Sequence, residues 1–272
     1  MSGTGPSVYG VLGWPVGHSA SPAIHAAAFE ALGIPATYLR LPVPPGRAAG
    51  AVEGLRALGA RGANVTAPHK TAIAGLCDRL DASARVAGSV NTLVVEDGSM
   101  IGYDTDAEGL RLFLEDDASV DLSGMTALVL GGGGAARACA VALSGRAGRL
   151  VVAARDARAG ADVAGLFEGP TTVVPFAEAA EQEAARLVLN ATPLGWRDER
   201  VPVIPRAGQI VVDLVYRETP LLRSARAAGA AAHDGRGMLL RQAALSFRLW
   251  TGLEAPLEAM LRGLDRALPP IT

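Results

Sequence analysis

The chain is 272 residues long with a formal net charge of -2, and 50% of it is hydrophobic against 19% charged. That apolar content excludes a disordered chain, and the balanced charge excludes the basic footprint that nucleic-acid binding requires. With 33 Gly and 17 Pro but no Gly-X-Y period it is not collagen-like, and its length suits one large domain or two small ones.

Residues 8–13 form a short apolar run with strand character. Ser21-Pro22 then offers a cap and a proline suited to a first helical turn, and residues 23–32 read as a helix ended by Gly33. A strand is expected over 36–41, a helix over 48–58 that stops at Gly59, a strand over 62–65, and a helix opened by Pro68. Residues 89–96 and 100–103 suggest a hairpin around Asp97-Gly98. A helix over 107–114 leads into polar residues 115–124, expected to be a connection. The rhythm then changes to strand 127–130, helix 135–143, strand 150–153 and helix 157–167, with further strands at 187–189 and 210–214. Strands alternating with helices imply a parallel, doubly wound sheet, so the fold class expected is α/β. Helices at 238–249 and 256–268 follow.

Residues 126–143 read TALVLGGGGAARACAVAL, in which Gly131, Gly133 and Ala136 fit G-x-G-x-x-G/A between a strand and a helix. Such glycines let the backbone approach a pyrophosphate, and the helix N-terminus offers free N–H groups to the anion. Although this is the most membrane-like stretch of the chain, its four successive glycines and Arg137 preclude an uninterrupted apolar span. The next strand ends at Ala153-Ala154-Arg155-Asp156. An acidic residue there would hold the ribose 2′-OH of NAD, whereas an arginine would take the 2′-phosphate of NADP. Asp156 either points at that phosphate and repels it, or turns away and caps the following helix.

Cys77 and Cys139 are the only cysteines and lack a metal-ligand spacing, so a reducing, cytoplasmic setting and no metal are expected. Residues 1–6 carry neither the basic region nor the apolar stretch of a secretory leader. Lys70 is the only lysine, so it is not one charge of a generic solvated face.

A longer set of markers runs through the chain. Gly10-Val11-Leu12-Gly13-Trp14-Pro15 precedes His18-Ser19-Ala20-Ser21-Pro22, followed by Asn64-Val65-Thr66-Ala67-Pro68-His69-Lys70 and Gly88-Ser89-Val90-Asn91-Thr92. Gly102-Tyr103-Asp104-Thr105-Asp106, Asn190-Ala191-Thr192-Pro193-Leu194-Gly195 and Gly237-Met238-Leu239-Leu240-Arg241-Gln242, with Phe247 and Trp250-Thr251-Gly252, complete it. This ordered set resembles the shikimate dehydrogenase family, which includes quinate/shikimate dehydrogenases, over nearly the whole chain.

The resemblance implies two domains: an α/β substrate domain over residues 1–104, completed by C-terminal helices at 238–272, and a Rossmann-type NADP-binding domain over 105–237. It implies an oxidoreductase of aromatic amino-acid (chorismate pathway) biosynthesis, reversibly reducing 3-dehydroshikimate to shikimate with NADP. The implied partner is a cyclohexene carboxylate, with neither nucleic acid nor membrane, and a homodimer is one assembly open to it. Lys70 and Asp106 match the pair that flanks the reacting hydroxyl. Ser19 and Ser21 match serines that bind the carboxylate, and Thr66, Asn91, Tyr216 and Gln242 match further substrate contacts. Gly131, Gly132, Gly133, Gly134 and Ala135 match the phosphate loop, Arg155 matches a 2′-phosphate contact, and Thr192, Leu214, Gly235 and Met238 match positions near the nicotinamide or its ribose.

Read without the resemblance, Ser21 and Asp106 are helix caps, and His18, His25 and His69 are structural or exposed. The chain also departs from the family pattern. Ala26 and Ala154 stand where asparagine is usual, Asp104 replaces an asparagine, Arg158 falls one place early for a second basic contact, and the loop over 216–220 is about two residues short. Asp104 is either turned to the surface or tunes the site toward an amino-bearing ring. These departures keep open a quinate or aminoshikimate/aminoquinate dehydrogenase using NAD or NADP. A nucleotide sensor without turnover would have no need of Lys70 and Asp106.

Overall fold

The computed structural model describes residues 5–268; residues 1–4 of the segment read for a leader, and 269–272 of the expected substrate domain, lie outside the described residues. The chain divides into two compact units, one running to Thr105 and resuming at Leu240, the other Asp106–Leu239.

The first unit contains, in order, β1 (Ser7–Gly13), α1 (Ser21–Ala31), β2 (Ala36–Pro42), α2 (Ala48–Ala57), β3 (Gly62–Val65), α3 (Lys70–Ala74), β4 (Arg79–Leu80), α4 (Ala82–Ala87), β5 (Thr92–Glu96) and β6 (Ser99–Tyr103). Its sheet has the order β2-β1-β3-β5-β6-β4, with β1 parallel to β2 and β3, and β5 antiparallel to β3 and β6. Period-two alternation in β1 sends Leu12 into a core with Val52, Leu55, Ile73 and Leu93, and Tyr9 against Phe29 and Trp250.

The last two helices are α9 (Arg236–Thr251), which spans the boundary between the units, and α10 (Leu257–Ala267). In the first unit, Trp250 donates its indole N–H to Leu93 O (2.9 Å) and sits where a Cβ on Gly62 would be 2.3 Å from that nitrogen. Helix α10 packs on α1 at Gly263, where a Cβ would be 2.4 Å from Ala23 O. Glycine at both positions is therefore a requirement of close approach.

The second unit contains α5 (Asp106–Leu112), β7 (Thr126–Leu130), α6 (Gly134–Leu143), β8 (Arg149–Ala154), α7 (Ala157–Ala164), β9 (Thr171–Pro175), β10 (Leu187–Asn190), β11 (Ile210–Asp213), α8 (Pro220–Ala227) and β12 (Ala231–Asp234). All its strands are parallel, in the order β12-β11-β10-β7-β8-β9. Ala127 and Val129 enter one core, Leu128 and Leu130 the other, because both faces of the sheet are covered.

Several sequence expectations are corrected. Ser21 is not a cap: Ala20 holds that position without a side-chain bond, and Ser21 is the first helical residue. Pro68 precedes α3 by two residues, in a turn closed by His69 N on Thr66 O. The polar connection begins as a π-helical turn, Phe113–Asp117, because Phe113 and Leu114 are buried and Arg111 and Arg146 hold Glu115 (2.6 and 3.1 Å). The helix expected to reach 167 ends at Ala164. Strands β4, β9 and β12 and helices α4 and α8 were not expected; β12 (AAHD) lacks any hydrophobic alternation. Among the described residues, no helix is long and apolar enough to cross a membrane.

Candidate active site

In the second unit the sheet order reverses between β7 and β10, and ligands of doubly wound folds bind beyond the strand ends at such a point. The loop after β7 lies there. Gly131 has φ +121°, and a Cβ would come 3.2 Å from Ala191 O and 3.3 Å from Thr192 Cγ2. At Gly132 a Cβ would be 2.8 Å from that of Ala159. Helix α6 begins at Gly134, and Gly133 before it makes no side-chain cap bond. This is a cradle fitted to a pyrophosphate: close backbone, and first-turn N–H groups without a side-chain cap. Gly131, Gly132, Gly133, Arg155, Asp156 and Thr192 are among the residues lining one cavity.

Arg155 is exposed at the end of β8. Asp156 caps α7, its Oδ1 accepting from Arg158 N (2.8 Å) and Ala159 N (3.0 Å). Of the two alternatives for Asp156, the structure shows the cap. Gly235 lies so close to Leu214 that a Cβ would be 2.4 Å from Leu214 O, while Met238 is buried within the core. Ala135 is half-buried in the first turn of α6. Tyr216 is half-buried, meets Trp196 edge-on (centroids 4.9 Å apart), and burial pushes its phenol up to about 12.

Asn190 and Asp213 end neighbouring strands; from sequence Asn190 is only part of a marker, and neither residue has an assigned role. Asn190 accepts from Thr192 Oγ1 (2.7 Å) and donates to Asp213 Oδ1 (2.8 Å). Asp213 is fully buried, and desolvation pushes its carboxyl up to about 6 against hydrogen bonds from Thr219, Val215 and Asn190. A carboxyl that titrates higher when folded than its unfolded value near 3.9 binds protons more readily in the folded state. Its stabilising contribution is therefore complete below about pH 4 and lost as pH rises through about 6, on the order of 3 kcal/mol. Asp213→Asn, neutral throughout, is expected to be more stable than the parent at pH 8, with the gap closing toward pH 4. Urea unfolding at the two pH values checks this; a pH-independent gap refutes it.

In the first unit, Ser19 and Ser21 are buried, with Ser21 N donating to Ser19 Oγ (3.3 Å). Arg40 fixes Ser19 by donating twice to its carbonyl (3.1 and 2.7 Å). Thr66 is half-buried, its methyl packed where a Gly13 Cβ would lie 2.3 Å away. Asn91 and Gln242 are brought together, with Asn91 Nδ2 at 3.5 Å from Gln242 Oε1 and 2.9 Å from Thr105 Oγ1. They belong to a larger polar network missed from sequence. Asn64 donates to Thr92 Oγ1 (3.1 Å) and Ser246 Oγ (3.0 Å), and accepts from Tyr38 (2.7 Å). An amide in the fully buried strand GANV was the signal for it. His25 stacks on Tyr38, and burial pushes its imidazole down to about 3. His69 bonds Val43 O (2.6 Å), a structural role.

Lys70 is half-buried at the start of α3, and its carbonyl accepts from Val90 N (3.0 Å). The adjacent Asn91 accepts from Thr105 N (2.8 Å), the residue before Asp106. Asp106 is buried as the first residue of α5, inside the helix rather than before it. Asp104 is buried and accepts from Ser89 Oγ (2.7 Å), so it is not turned to the surface. Among the described residues there is no cluster of three or more His, Cys, Asp or Glu able to hold a metal.

A glycine cradle at the reversal point of an all-parallel sheet defines the second unit as a dinucleotide-binding fold. A family model described as the shikimate dehydrogenase substrate binding domain matches residues 11–93, and one described as the shikimate 5′-dehydrogenase C-terminal domain matches residues 235–262. The chain is 46% identical to a shikimate dehydrogenase (NADP(+)) of Anaeromyxobacter sp. strain Fw109-5, over 94% of each chain. Among solved structures it is similar to a shikimate 5-dehydrogenase of Thermus thermophilus in complex with NADP(H) and shikimate (TM-score 0.83, 37% identity, 96% of this chain and 100% of that one). It is also similar to one from Listeria monocytogenes in complex with shikimate and NAD (TM-score 0.83, 29% identity, 96% and 98%). The chain belongs to the shikimate dehydrogenase family.

Proposed function

We infer that this chain catalyses the reversible NADP-dependent reduction of 3-dehydroshikimate to shikimate. The observation that carries the reading is the backbone frame around the proposed catalytic pair. Val90 N bonds the Lys70 carbonyl, and its neighbour Asn91 bonds Thr105, the residue before Asp106. NADPH, when bound, supplies the hydride. The oxygen of the substrate carbonyl then gains negative charge, which the Lys70 ammonium stabilises before giving it a proton. In the oxidation direction the neutral amine takes that proton back. Asp106 orients the ammonium and accepts from a ring hydroxyl.

Ser19 and Ser21 bind the substrate carboxylate, and Thr66, Asn91, Tyr216 and Gln242 bind its hydroxyls. Gly131 to Ala135 hold the pyrophosphate, Arg155 the 2′-phosphate, and Thr192, Leu214, Gly235 and Met238 the nicotinamide end. In domain terms, residues to Thr105 and from Leu240 carry most of the proposed substrate contacts, and Asp106–Leu239 carries the cofactor contacts together with Asp106 and Tyr216. The two free cysteines, one buried and one half-buried, support a cytoplasmic setting. A homodimer is the assembly to test, by sedimentation.

Asp156 supports a second reading, in which NAD is also accepted. Its cap turn draws one oxygen to the helix, but the charge stays beside Arg155. Asparagine caps as well as aspartate, so Asp156→Asn is expected to keep α7 and tighten NADP about two- to fivefold at low salt, leaving NAD unchanged. Binding titrations with both dinucleotides read this directly; equal changes for the two would refute it. The whole function is tested by steady-state assays with shikimate, quinate and aminoshikimate against each cofactor. The expected highest kcat/KM is shikimate with NADP, and a higher value for quinate with NAD would replace the proposal.

A further inference from the structure

Of the proposed contacts, Thr192, Leu214 and Tyr216 lie on two loops of the second unit. The first loop follows β10 and the second follows β11. One buried carboxylate ties both. Asp213 Oδ1 accepts from Asn190 Nδ2 (2.8 Å), and Asn190 in turn fixes the first loop three times. Its Oδ1 accepts from Thr192 N (3.1 Å) and Thr192 Oγ1 (2.7 Å), and its Nδ2 also donates to Leu194 O (3.0 Å). On the other side, Val215 N donates to Asp213 Oδ1 (3.2 Å) and Thr219 Oγ1 donates to Oδ2 (2.7 Å). Those two bonds bracket Tyr216. Gly195 (φ +111°) lets the loops close up, since a Cβ there would lie 2.9 Å from Thr219 Cγ2 and 3.7 Å from Asp213 Oδ2.

We propose that Asp213 is a positioning residue for the reaction, setting the nicotinamide-side Thr192 and the substrate-side Tyr216 from one anchor. The proposal rests on the ligand roles given above to Thr192, Leu214 and Tyr216. Asp213 touches neither ligand in this scheme and acts through Asn190 and Thr219. An anchoring role explains why a carboxylate is buried here among neutral donors: only a carboxylate accepts from three donors at once in so small a volume. Asn190, Thr219 and Asp213 itself all have zero exposure, so the network is closed to bulk solvent and its geometry narrow.

The test separates positioning from folding. Asp213→Ala is expected to lower kcat by about 10–100-fold, the range that a misplacement of about an ångström produces. Asp213→Asn should recover part of it, because the amide keeps its oxygen for Asn190 and Val215 and turns its NH2 to Thr219. Binding of 2′,5′-ADP, which reports only the adenine end held by the loop after β7 and by Arg155, should stay within about twofold of the parent in both variants. Wild-type kcat and KM in the alanine variant overturn the proposal. So does a parallel loss of kcat and 2′,5′-ADP binding, which marks a purely structural role. Where the alanine variant does not fold, Thr219→Val against Thr219→Ser decides: activity lost in valine and restored in serine supports the anchor, and any other pattern overturns it. Thr192→Val and Tyr216→Phe are run alongside. If neither changes KM or kcat, the ligand roles fail; if they do while Asp213→Ala is normal, only the anchor fails.

Discussion

Lys70→Ala is expected to lower kcat by about three orders of magnitude while KM for shikimate moves only a few-fold. A positioned acid or base contributes roughly 10²–10⁴ in rate, and charge stabilisation on the developing oxyanion adds to the same transition state. In the proposed site, ground-state binding is spread over several side chains, among them Ser19, Asn91 and Gln242, all buried in the first unit. Removing the ammonium therefore takes away an interaction made mainly in the transition state, which appears in kcat. The fold is expected to survive, because the side chain is half-buried and alanine keeps the backbone carbonyl that holds Val90. Stopped-flow and steady-state assays with shikimate and NADP measure the split. A large rise in KM with kcat intact would make Lys70 a binding residue instead.

The second large effect concerns the cofactor. Arg155→Ala is expected to weaken NADP by about 10–100-fold and NAD by no more than about twofold. A guanidinium can fork onto a phosphate, and charge-assisted bonds of that kind contribute about 1.5–3 kcal/mol. That range corresponds to the stated fold-change at about 1.4 kcal/mol per tenfold. Arg155 is exposed at the end of β8, so its loss leaves no buried group unpaired. The pyrophosphate cradle proposed at Gly131 to Ala135 would serve both dinucleotides and follows another strand, β7. Calorimetric titration with each dinucleotide gives both constants, and equal weakening would show that Arg155 does not read the 2′-phosphate.

The parts of the fold that were legible in the sequence are those with a strong local signal. The glycine run after β7 and the proline in the first turn of α1 name their conformations without tertiary help. Asp97-Gly98 likewise turns β5 into β6, with both residues at positive φ. Strand β12 carries no such signal: its pairing to β11 comes from the sheet and not from AAHD. Helix α8 did carry one, Thr219 as cap and Pro220 behind it, and it was passed over. In the site, single residues with an unusual type stood out, such as the lone Lys70. Residues that act by bridging distant segments were harder to read, because the buried amide of Asn64 does not name its partner Ser246, 182 positions later. Asn190 and Asp213 were legible in principle, as polar residues closing apolar strands at the crevice side of the sheet.

The late return of α9 and α10 to the first unit bears on how the polypeptide is made. Translation delivers the strands of that unit early, yet the indole that seats over Gly62 and the helix that seats on Ala23 leave the ribosome only after the whole of Asp106–Leu239. Domains generally fold as units in the order of synthesis, and here that order is inverted: the nucleotide-binding half is complete while its older neighbour still waits for its final pieces. A chain lacking the segment from Leu240 on would leave Tyr9 and Phe29 without the rings of Trp250 and Phe247, an uncovered aromatic face of the kind that chaperones hold.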